Sequence, residues 1–273
     1  MMRDVLHLKE LQSVESPVPV SRLGSVLTQS GRWRDQAVLV KTLVSDDPSD
    51  VARFRHEGAV AESLDHPRIV PLLAVTPRQL IFPFITGGSL REYLDGTQLD
   101  ADQATAVTLG VLSGAAYLHR CGVVHQDLKP ENVMLAGGEP TAAAVRIVDF
   151  GMSHARNLPL DIHSGTRMGT PHFMAPEQFQ GVRGDPRSDL YSAGVLLFDA
   201  LAGHPPYEDA LGWLAGIRDN RAALPGPAAL HPVMLAALAR DPDERPGSAG
   251  EMIEAIQAAR EALGLGRVTG LDG

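Results

Sequence analysis

The hydrophobic pattern of this chain changes near residue 85. Upstream, the segments AVLVKTLV (37–44) and LIFPFI (80–85) are short, apolar and rich in β-branched or aromatic residues, which is typical of strands. Downstream, the pattern is mostly helical, and residues 188–203 are apolar on every side, as in a buried helix. The sequence therefore predicts an α+β chain with a small strand-rich lobe, residues 1–85, and a larger helical lobe, residues 86–273.

Two charged residues of the N-terminal half stand among apolar neighbours. Lys41 is the charged residue of the first predicted strand. Asp47 followed by Pro48 predicts a helix that begins at the proline, because aspartate caps a first turn and proline suits the first helical position. At helical spacing, Glu57 lies on the same face as the apolar Phe54. The pattern therefore places one charge on a strand and another on the apolar face of the next helix.

The composition limits the partners that the chain can bind. With 24 Lys and Arg residues against 33 Asp and Glu residues, the formal net charge is −9, which disfavours nucleic acid and anionic membranes. Cys121 is the only cysteine, so no intrachain disulfide can form, and its apolar surroundings predict a small core residue. The sequence lacks a signal-peptide pattern and a run of about 20 apolar residues. We therefore expect a cytoplasmic protein without a nucleic-acid or membrane partner.

The segment VVHQDLKPENVML (123–135) carries the strongest indication of chemistry. Its apolar ends enclose a polar loop that contains Asp127 and Asn132, and Pro130 limits the freedom of the backbone between them. A carboxylate in such a loop can orient an attacking hydroxyl and accept its proton, and an amide oxygen can ligate a hard cation such as Mg²⁺. Taken alone, the same residues also fit a solvated polar loop between a helix and a strand.

A second acidic motif follows along the chain. VRIVDFG (145–151) is typical of a strand that ends in an acidic residue and a glycine, and its Asp149 lies 22 residues beyond Asp127. A DFG tripeptide alone is a weak signal. In this order and at this distance, however, the two segments resemble the catalytic loop and the DFG segment of protein kinases.

The resemblance is to eukaryotic-like serine/threonine protein kinases of the bacterial type, and it extends over nearly the whole chain. VLVK (38–41) resembles the strand whose lysine binds the α- and β-phosphates of ATP. Glu57 resembles the helix partner of that lysine, which would explain a carboxylate on an apolar face, because an unpaired buried charge is costly. GTPHFMAPE (169–177) resembles the end of the activation segment.

Two further segments resemble structural parts of the same family. DLYSAG (189–194) resembles the buried helix whose aspartate supports the catalytic loop. ARDPDERP (239–246) places Arg245 where the family has an arginine that pairs with the glutamate of its APE motif, here Glu177. The resemblance therefore implies the bilobal protein-kinase fold, with a small β-rich N-terminal lobe and a larger helical C-terminal lobe.

The resemblance also implies the chemistry: ATP and Mg²⁺ as cofactors and a protein with a serine or threonine acceptor as substrate. Asp127 would accept the proton of the hydroxyl, and Lys129 resembles the lysine that serine/threonine kinases place beside the transferred phosphoryl group. The other polar residues would hold nucleotide and metal: Lys41 and Glu57 at the phosphates, and Asn132 and Asp149 at Mg²⁺.

The nucleotide pocket departs from the family pattern. Counting back from Lys41 aligns Gly24 with the last glycine of the phosphate-binding loop, but Pro19 and Ser21 stand at the first two glycine positions. Because Pro19 has no N–H, we expect a looser phosphate clamp. Leu39 stands where a small alanine usually contacts adenine. The residues expected to contact the nucleotide are Gly24, Val26, Leu39, Lys41, Phe82, Pro83, Ile85 and Met134.

Two other functions are compatible with parts of the sequence. The altered glycine loop and Leu39 favour a pseudokinase that binds nucleotide or serves as a scaffold, whereas the presence of every implied catalytic residue argues against it. A small-molecule phosphotransferase with a kinase-like core is disfavoured by GTPHFMAPE, which in the resembling family shapes a peptide-docking surface.

Gln126 generates a first testable prediction, because the family usually has an arginine there that binds a phosphate on the activation segment. A glutamine amide cannot form that charge-assisted pair, so activity should not require such a phosphate, for which Ser164 and Thr166 are the expected sites. We expect phosphatase treatment, or the variant Thr166→Ala, to change the rate of phosphate transfer by less than about tenfold, or about 1.4 kcal/mol. A larger loss in an assay with labelled ATP would contradict the prediction.

Overall fold

The computed structural model describes residues 5–9, 14–158 and 171–271. Its strands are β1 (Leu6–His7), β2 (Glu15–Leu23), β3 (Val26–Trp33), β4 (Gln36–Leu43), β5 (Ala74–Val75), β6 (Gln79–Pro83), β7 (Val123–Val124), β8 (Val133–Leu135), β9 (Val145–Ile147) and β10 (His154–Ala155). Its α-helices are α1 (Pro48–Glu62), α2 (Leu90–Tyr93), α3 (Ala101–Arg120), α4 (Pro176–Phe179), α5 (Arg187–Ala202), α6 (Ala210–Leu214), α7 (His231–Ala237) and α8 (Ala249–Ala262). Strands dominate the N-terminal lobe and helices the C-terminal lobe, so the predicted bilobal α+β fold class is confirmed.

Within the described ranges, the N-terminal lobe is built on a six-stranded sheet in the order β1-β5-β6-β4-β3-β2. β1 runs parallel to β5, and the other neighbours are antiparallel. Successive side chains of a strand point to opposite faces. On β4, Val38 and Val40 pack with Ala74 and Ile81 in a small core on one face. Lys41 therefore points away from that core, on the face that turns toward the helical lobe.

Helix α1 begins at the residue that the sequence predicts. Asp47 accepts a hydrogen bond from Ser49 N at 2.8 Å, and Pro48 occupies the first helical position. Glu57 lies on the buried face with Phe54 and is only 6% exposed. The helix thus brings a carboxylate into the interior of the N-terminal lobe.

Helix α5 forms the centre of the helical lobe. Every residue from Ser188 to Leu201 is buried, which confirms the prediction of a helix buried on every side. Helices α3 and α7 pack against it, and α8 packs against α3. The helix ends at Ala202, and the capping residue Gly203 has a φ of 76°, in the left-handed region that glycine adopts without a steric penalty. Its acidic residues Asp189 and Asp199 are therefore placed in the core of the lobe.

The prediction of a core position for Cys121 is wrong. Helix α3 ends at Arg120, and Cys121 follows it as the capping residue, with its side chain exposed. The apolar stripe of α3 continues only as far as Leu118, which is completely buried. A residue at a helix end leaves the packed stripe even when the local pattern is apolar.

Some expectations concern residues that the structure does not describe or does not test. Ser164 and Thr166 lie outside the described residues, as do Gly169 and Thr170 at the start of GTPHFMAPE. The connection between β6 and α2 contains residues 84–89, and the proposed division at residues 85 and 86 stays a prediction. None of the helices in the described ranges combines the length and the apolar character needed to cross a bilayer.

A buried ion pair joins α4 to the loop that precedes α8. The two terminal nitrogens of Arg245 donate to the two carboxylate oxygens of Glu177, each at 2.7 Å, as the resemblance implies. Ser188 Oγ donates a further hydrogen bond to Glu177 Oε1 at 2.9 Å. The side chain of Arg245 is fully enclosed, so each charge depends on the other for compensation.

We therefore expect Arg245→Met to lower the free energy of unfolding by about 3–5 kcal/mol, because Glu177 would remain buried without a cation. The control is Arg267→Met, which removes an arginine from an exposed pair with Glu254 and Glu261. Denaturant unfolding followed by circular dichroism measures both. A loss for Arg245→Met no larger than that for the control would show that the buried pair does not stabilise the lobe.

Candidate active site

A cleft of about 1240 Å³ lies between the sheet and the helical lobe. Strands β3 and β4 contribute Val26 and Lys41 to one wall, and β8 contributes Met134 to the other. The cleft continues to Met174 and Gln178, near the start of α4. The cleft is therefore long enough to hold two molecules, one beneath the sheet and one along the helical lobe.

At the inner end of the cleft, Lys41 lies between two carboxylates. Its Nζ donates to Glu57 Oε1 on α1 and, at 3.2 Å, to Asp149 Oδ1 after β9. Burial by itself lowers the pKa of Lys41, but the charges of Asp149 and Glu57 outweigh it and raise that pKa above the ordinary value. The Lys41 ammonium in turn lowers the pKa of Asp149 to about 2. Lys41 and Asp149 are consequently both ionised at neutral pH.

Across the cleft, residues 125–132 form a segment that we call the catalytic turn. Lys129 Nζ donates to both carboxylate oxygens of Asp127, at 3.0 and 2.8 Å. Asn132 Nδ2 donates to the backbone oxygen and to Oδ2 of Asp127, at 2.8 and 2.9 Å. The carboxylate of Asp127 is thus held in one orientation by two side chains of the same turn, while it still faces the cleft.

The backbone of the catalytic turn is held from beneath by helix α5. Asp189 is completely buried and accepts hydrogen bonds from His125 N at 2.9 Å and Gln126 N at 2.8 Å. Gln126 has a φ of 64°, a conformation that a non-glycine residue keeps only where its surroundings impose it. The ring centres of His125 and Phe150 lie 5.3 Å apart and both residues are buried, so the two rings pack together beneath the turn.

The donor groups at the two acidic positions fit a magnesium ion. Asn132 uses its amide nitrogen within the catalytic turn, which leaves its oxygen for a cation. Asp149 engages Lys41 and Gly151 N through Oδ1, so that Oδ2 can ligate a cation. Carboxylate and amide oxygens are ligands that Mg²⁺ prefers, and both residues line the same cleft.

The outer end of the cleft has the apolar character that a purine requires. The residues that line it and that the sequence predicts as nucleotide contacts are Val26, Leu39, Phe82, Pro83, Ile85 and Met134. Gly24 forms the turn between β2 and β3, with a φ of 55°, and does not itself line the cleft. Ser21 lines the cleft, and the β2–β3 pairing shifts register between Pro19 and Ser21.

Sequence reasoning missed two residues that line the cleft and one that supports the catalytic turn from beneath. Val70 and Val148 line the apolar end without belonging to a predicted contact set, although Val148 directly precedes the acidic residue of VRIVDFG. His119 was also missed: its Nε2 donates to Asp189 Oδ2 at 2.8 Å, across 70 residues of sequence. A hydrophobic residue adjacent to a recognised motif could have been included, whereas the histidine carries no local signal.

Comparison with known proteins agrees with this geometry. The family model of the protein kinase domain matches residues 22–224, well over half of the chain. A probable serine/threonine-protein kinase of Streptomyces coelicolor is 35% identical over 256 residues, which cover 84% of this chain and 37% of that relative. PrkC of Bacillus subtilis, a serine/threonine-protein kinase, is 28% identical over 244 residues, which cover 84% of this chain and 37% of PrkC. The serine/threonine-protein kinase PknL of Mycobacterium tuberculosis is 32% identical over 247 residues, which cover 85% of this chain and 61% of PknL. The chain therefore spans less than two thirds of each of these relatives.

Leu39 provides a prediction about the apolar end of the cleft. Its side chain lines the end of the cleft where the resemblance implies a flat purine, and overpacking typically costs about 1–3 kcal/mol. We expect Leu39→Ala to tighten ATP binding, measured by calorimetry together with thermal unfolding. The matched control is Leu43→Ala on the same strand, where the side chain is 3% exposed in the main core. Truncation there should lower stability by about 2–5 kcal/mol without tightening ATP binding. Unchanged or weaker ATP affinity in folded Leu39→Ala would refute the crowding argument.

Proposed function

Because this chain belongs to the protein kinase family, we propose that it transfers the γ-phosphoryl group of ATP to a serine or threonine hydroxyl of a protein. The observation that carries the proposal is the meeting of two groups of side chains across one cleft. One group is the Lys41, Glu57 and Asp149 cluster, and the other is the Asp127, Lys129 and Asn132 cluster on the catalytic turn.

Asp127 would orient the attacking hydroxyl and accept its proton. Its carboxylate is fixed by Lys129 and Asn132, so little reorganisation is needed when a hydroxyl arrives. The Lys129 ammonium lies 2.8 Å from Asp127 Oδ2 and would neutralise negative charge on the transferred phosphoryl oxygens. This lysine also supports a serine or threonine acceptor, since the resemblance associates it with kinases of that specificity.

Lys41 would bind the phosphates of ATP, and Glu57 would keep its side chain extended into the cleft. The charges of Asp149 and Glu57 raise the pKa of Lys41 above its ordinary value, which favours the positively charged form for this task. Asn132 and Asp149 would hold Mg²⁺, which supplies charge neutralisation to the phosphates. Phosphoryl transfer requires mainly positioning and electrostatic stabilisation from the protein, and these side chains would provide both.

The apolar end of the cleft would bind adenine. The Val26 and Met134 side chains would enclose the base from the two lobes, beside Phe82. The end of β6 and the connection after it would supply polar contacts through the Pro83 carbonyl and the Ile85 N–H. We also propose a cytoplasmic location without a nucleic-acid partner, on the strength of the acidic composition.

A second candidate function is a nucleotide-binding or scaffolding pseudokinase. It is favoured by the replacement of two loop glycines by Pro19 and Ser21 and by the bulk of Leu39 in the cleft. The hydrogen bonds that orient Asp127 and Lys41 argue against a pseudokinase, because a protein without catalytic activity does not need either side chain to be held in place. An assay of phosphate transfer separates the two functions directly.

We predict Mg²⁺-dependent phosphorylation of serine or threonine in a generic protein substrate supplied with γ-labelled ATP. Lys41→Ala, Asp127→Ala and Asp149→Ala should each reduce transfer at least about a hundredfold, because each removes a group that positions or activates the reactants. The control is Asp243→Asn, an exposed carboxylate paired with Arg187 outside the cleft. Circular dichroism would confirm that each variant is folded. Transfer unaffected by Asp127→Ala, or label found only on tyrosine, would overturn the proposed function.

A further inference from the structure

The segment that follows helix α8 is held through its backbone by side chains of the helical lobe. We call this segment, residues 264–271, the C-terminal strap. Gln257 of α8 donates to the Val268 carbonyl at 2.7 Å and accepts from the Val268 N–H at 3.1 Å. Arg260 of the same helix donates to Gly266 O from Nε at 3.0 Å and from Nη2 at 2.9 Å. The strap is therefore fixed along α8 by hydrogen bonds to its peptide groups.

Two more polar side chains reach the C-terminal strap from other elements. Ser113 of α3 donates its hydroxyl to Leu271 O. Arg68, in the connection between α1 and β5, donates from Nη2 to Gly270 O at 3.0 Å, across 202 residues of sequence. The four residues whose side chains bind the strap are only 2–7% exposed: Arg68, Ser113, Gln257 and Arg260. Because buried polar groups require hydrogen-bond partners, the strap completes the polar interior of three separate elements.

Arg68 joins the C-terminal strap to a second segment of the chain. Its Nη1 donates to Ala143 O at 3.0 Å, in the connection between β8 and β9. Burial, together with the charge of Arg146, lowers the pKa of Arg68. The carbonyls of Ala143 and Gly270 therefore stabilise a cation that its other surroundings disfavour.

The backbone of Arg68 leads directly to the nucleotide end of the cleft. Arg68 O accepts a hydrogen bond from Ile147 N at 2.7 Å, and Val70 N donates to Ile147 O at 3.0 Å. Val70 and Val148, which stand next to this pairing, both line the cleft. Ile147 is the last residue of β9 and lies two residues before Asp149. A displacement of Arg68 would therefore reach the apolar end of the cleft and the acidic residue that follows β9.

We propose that Arg68 is a positioning residue for nucleotide binding, and that the C-terminal strap holds it in place through the Gly270 carbonyl. The proposal rests on the kinase activity proposed above. The strap fixes Arg68, which in turn fixes the pairing that places Val70 and Asp149 in the cleft. Loosening the strap therefore weakens the binding of ATP with Mg²⁺. The orientation of Asp127 is set separately, within the catalytic turn, and is retained.

Gly270 offers a substitution that disturbs the C-terminal strap without a steric clash. Its φ is 68°, and a Cβ built there would meet no described atom within 4 Å. Gly270→Ala strains this left-handed backbone, whereas Gly270→Asn retains it, because asparagine adopts that conformation more readily. Gly96, between α2 and α3, has a φ of 72° and equally open surroundings. Gly96→Ala is therefore a matched control with the same backbone strain outside the strap.

The first measurements are the affinity for ATP with Mg²⁺ by calorimetry, and KM and kcat with labelled ATP and a generic protein substrate. Gly270→Ala should weaken ATP binding and raise the KM for ATP by at least about threefold, with kcat within about twofold of wild type. Gly270→Asn and Gly96→Ala should behave as wild type. A general loss of stability would instead lower the fraction of folded enzyme and hence the apparent kcat.

Substitution of the arginine itself should have a larger effect. Arg68→Met removes the donors to both carbonyls and should weaken ATP binding by at least about tenfold, equivalent to about 1.4 kcal/mol. Arg68→Lys retains a cationic donor and should fall between Arg68→Met and wild type. Thermal unfolding verifies that each variant is folded at the temperature of the assay.

Hydrogen exchange followed by mass spectrometry tests the coupling without nucleotide. The amides of Val70 and Ile147 form the hydrogen bonds of the pairing that Arg68 holds. Gly270→Ala and Arg68→Met should accelerate exchange in the segments that contain these amides by at least about threefold, because local opening becomes easier. Gly96→Ala and Gly270→Asn should leave that exchange at the wild-type rate.

The proposal is overturned if folded Gly270→Ala binds ATP as tightly as Gly96→Ala does, or if the two variants show equal exchange at Val70 and Ile147. It is equally overturned if kcat falls while the KM for ATP is unchanged. If Arg68→Met does not fold, the comparison at Gly270 decides alone. Absence of ATP binding by wild type would contradict the proposed function, and the exchange rates would then decide whether the strap holds this pairing.

Discussion

The candidate active site depends on one buried carboxylate, that of Asp189. It is enclosed in the first turn of α5 and accepts hydrogen bonds from the backbone of His125 and Gln126 and from the ring of His119. These bonds hold Gln126 in a left-handed conformation that costs on the order of 1–3 kcal/mol for a non-glycine residue. The direction of the Asp127 side chain follows from this backbone. An interaction in the core of the helical lobe thus sets the geometry of the cleft.

Two cations of the structure are each shared between two carboxylates. Lys41 on β4 is shared between Glu57 on α1 and Asp149 after β9, so one ammonium links elements of both lobes. Arg91 is likewise shared between Glu131 and Asp199. In both clusters a buried carboxylate is retained because a cation accompanies it.

Much of the local structure could be predicted because its causes are local. The start of α1 at Pro48 follows from the cap and the proline, and the burial of α5 follows from apolar residues on every side. The prediction for Cys121 was wrong because periodicity does not reveal where a helix ends relative to the packed core. The assignment of site residues came from short motifs, such as residues 123–135, whose functional groups are neighbours in sequence as well as in space.

Through the resemblance, the order and spacing of the motifs were enough to indicate the family, the bilobal α+β fold and the polar residues around Asp127 and Asp149. Hydrogen bonds within the eight residues of the catalytic turn leave such a local pattern. Contacts between distant segments leave none. Arg91 and Asp199 are 108 residues apart, and nothing in either segment indicates that they meet. Their pairing arises only when α2 and α5 pack together, because burial is what forces the Asp199 carboxylate to find a cation.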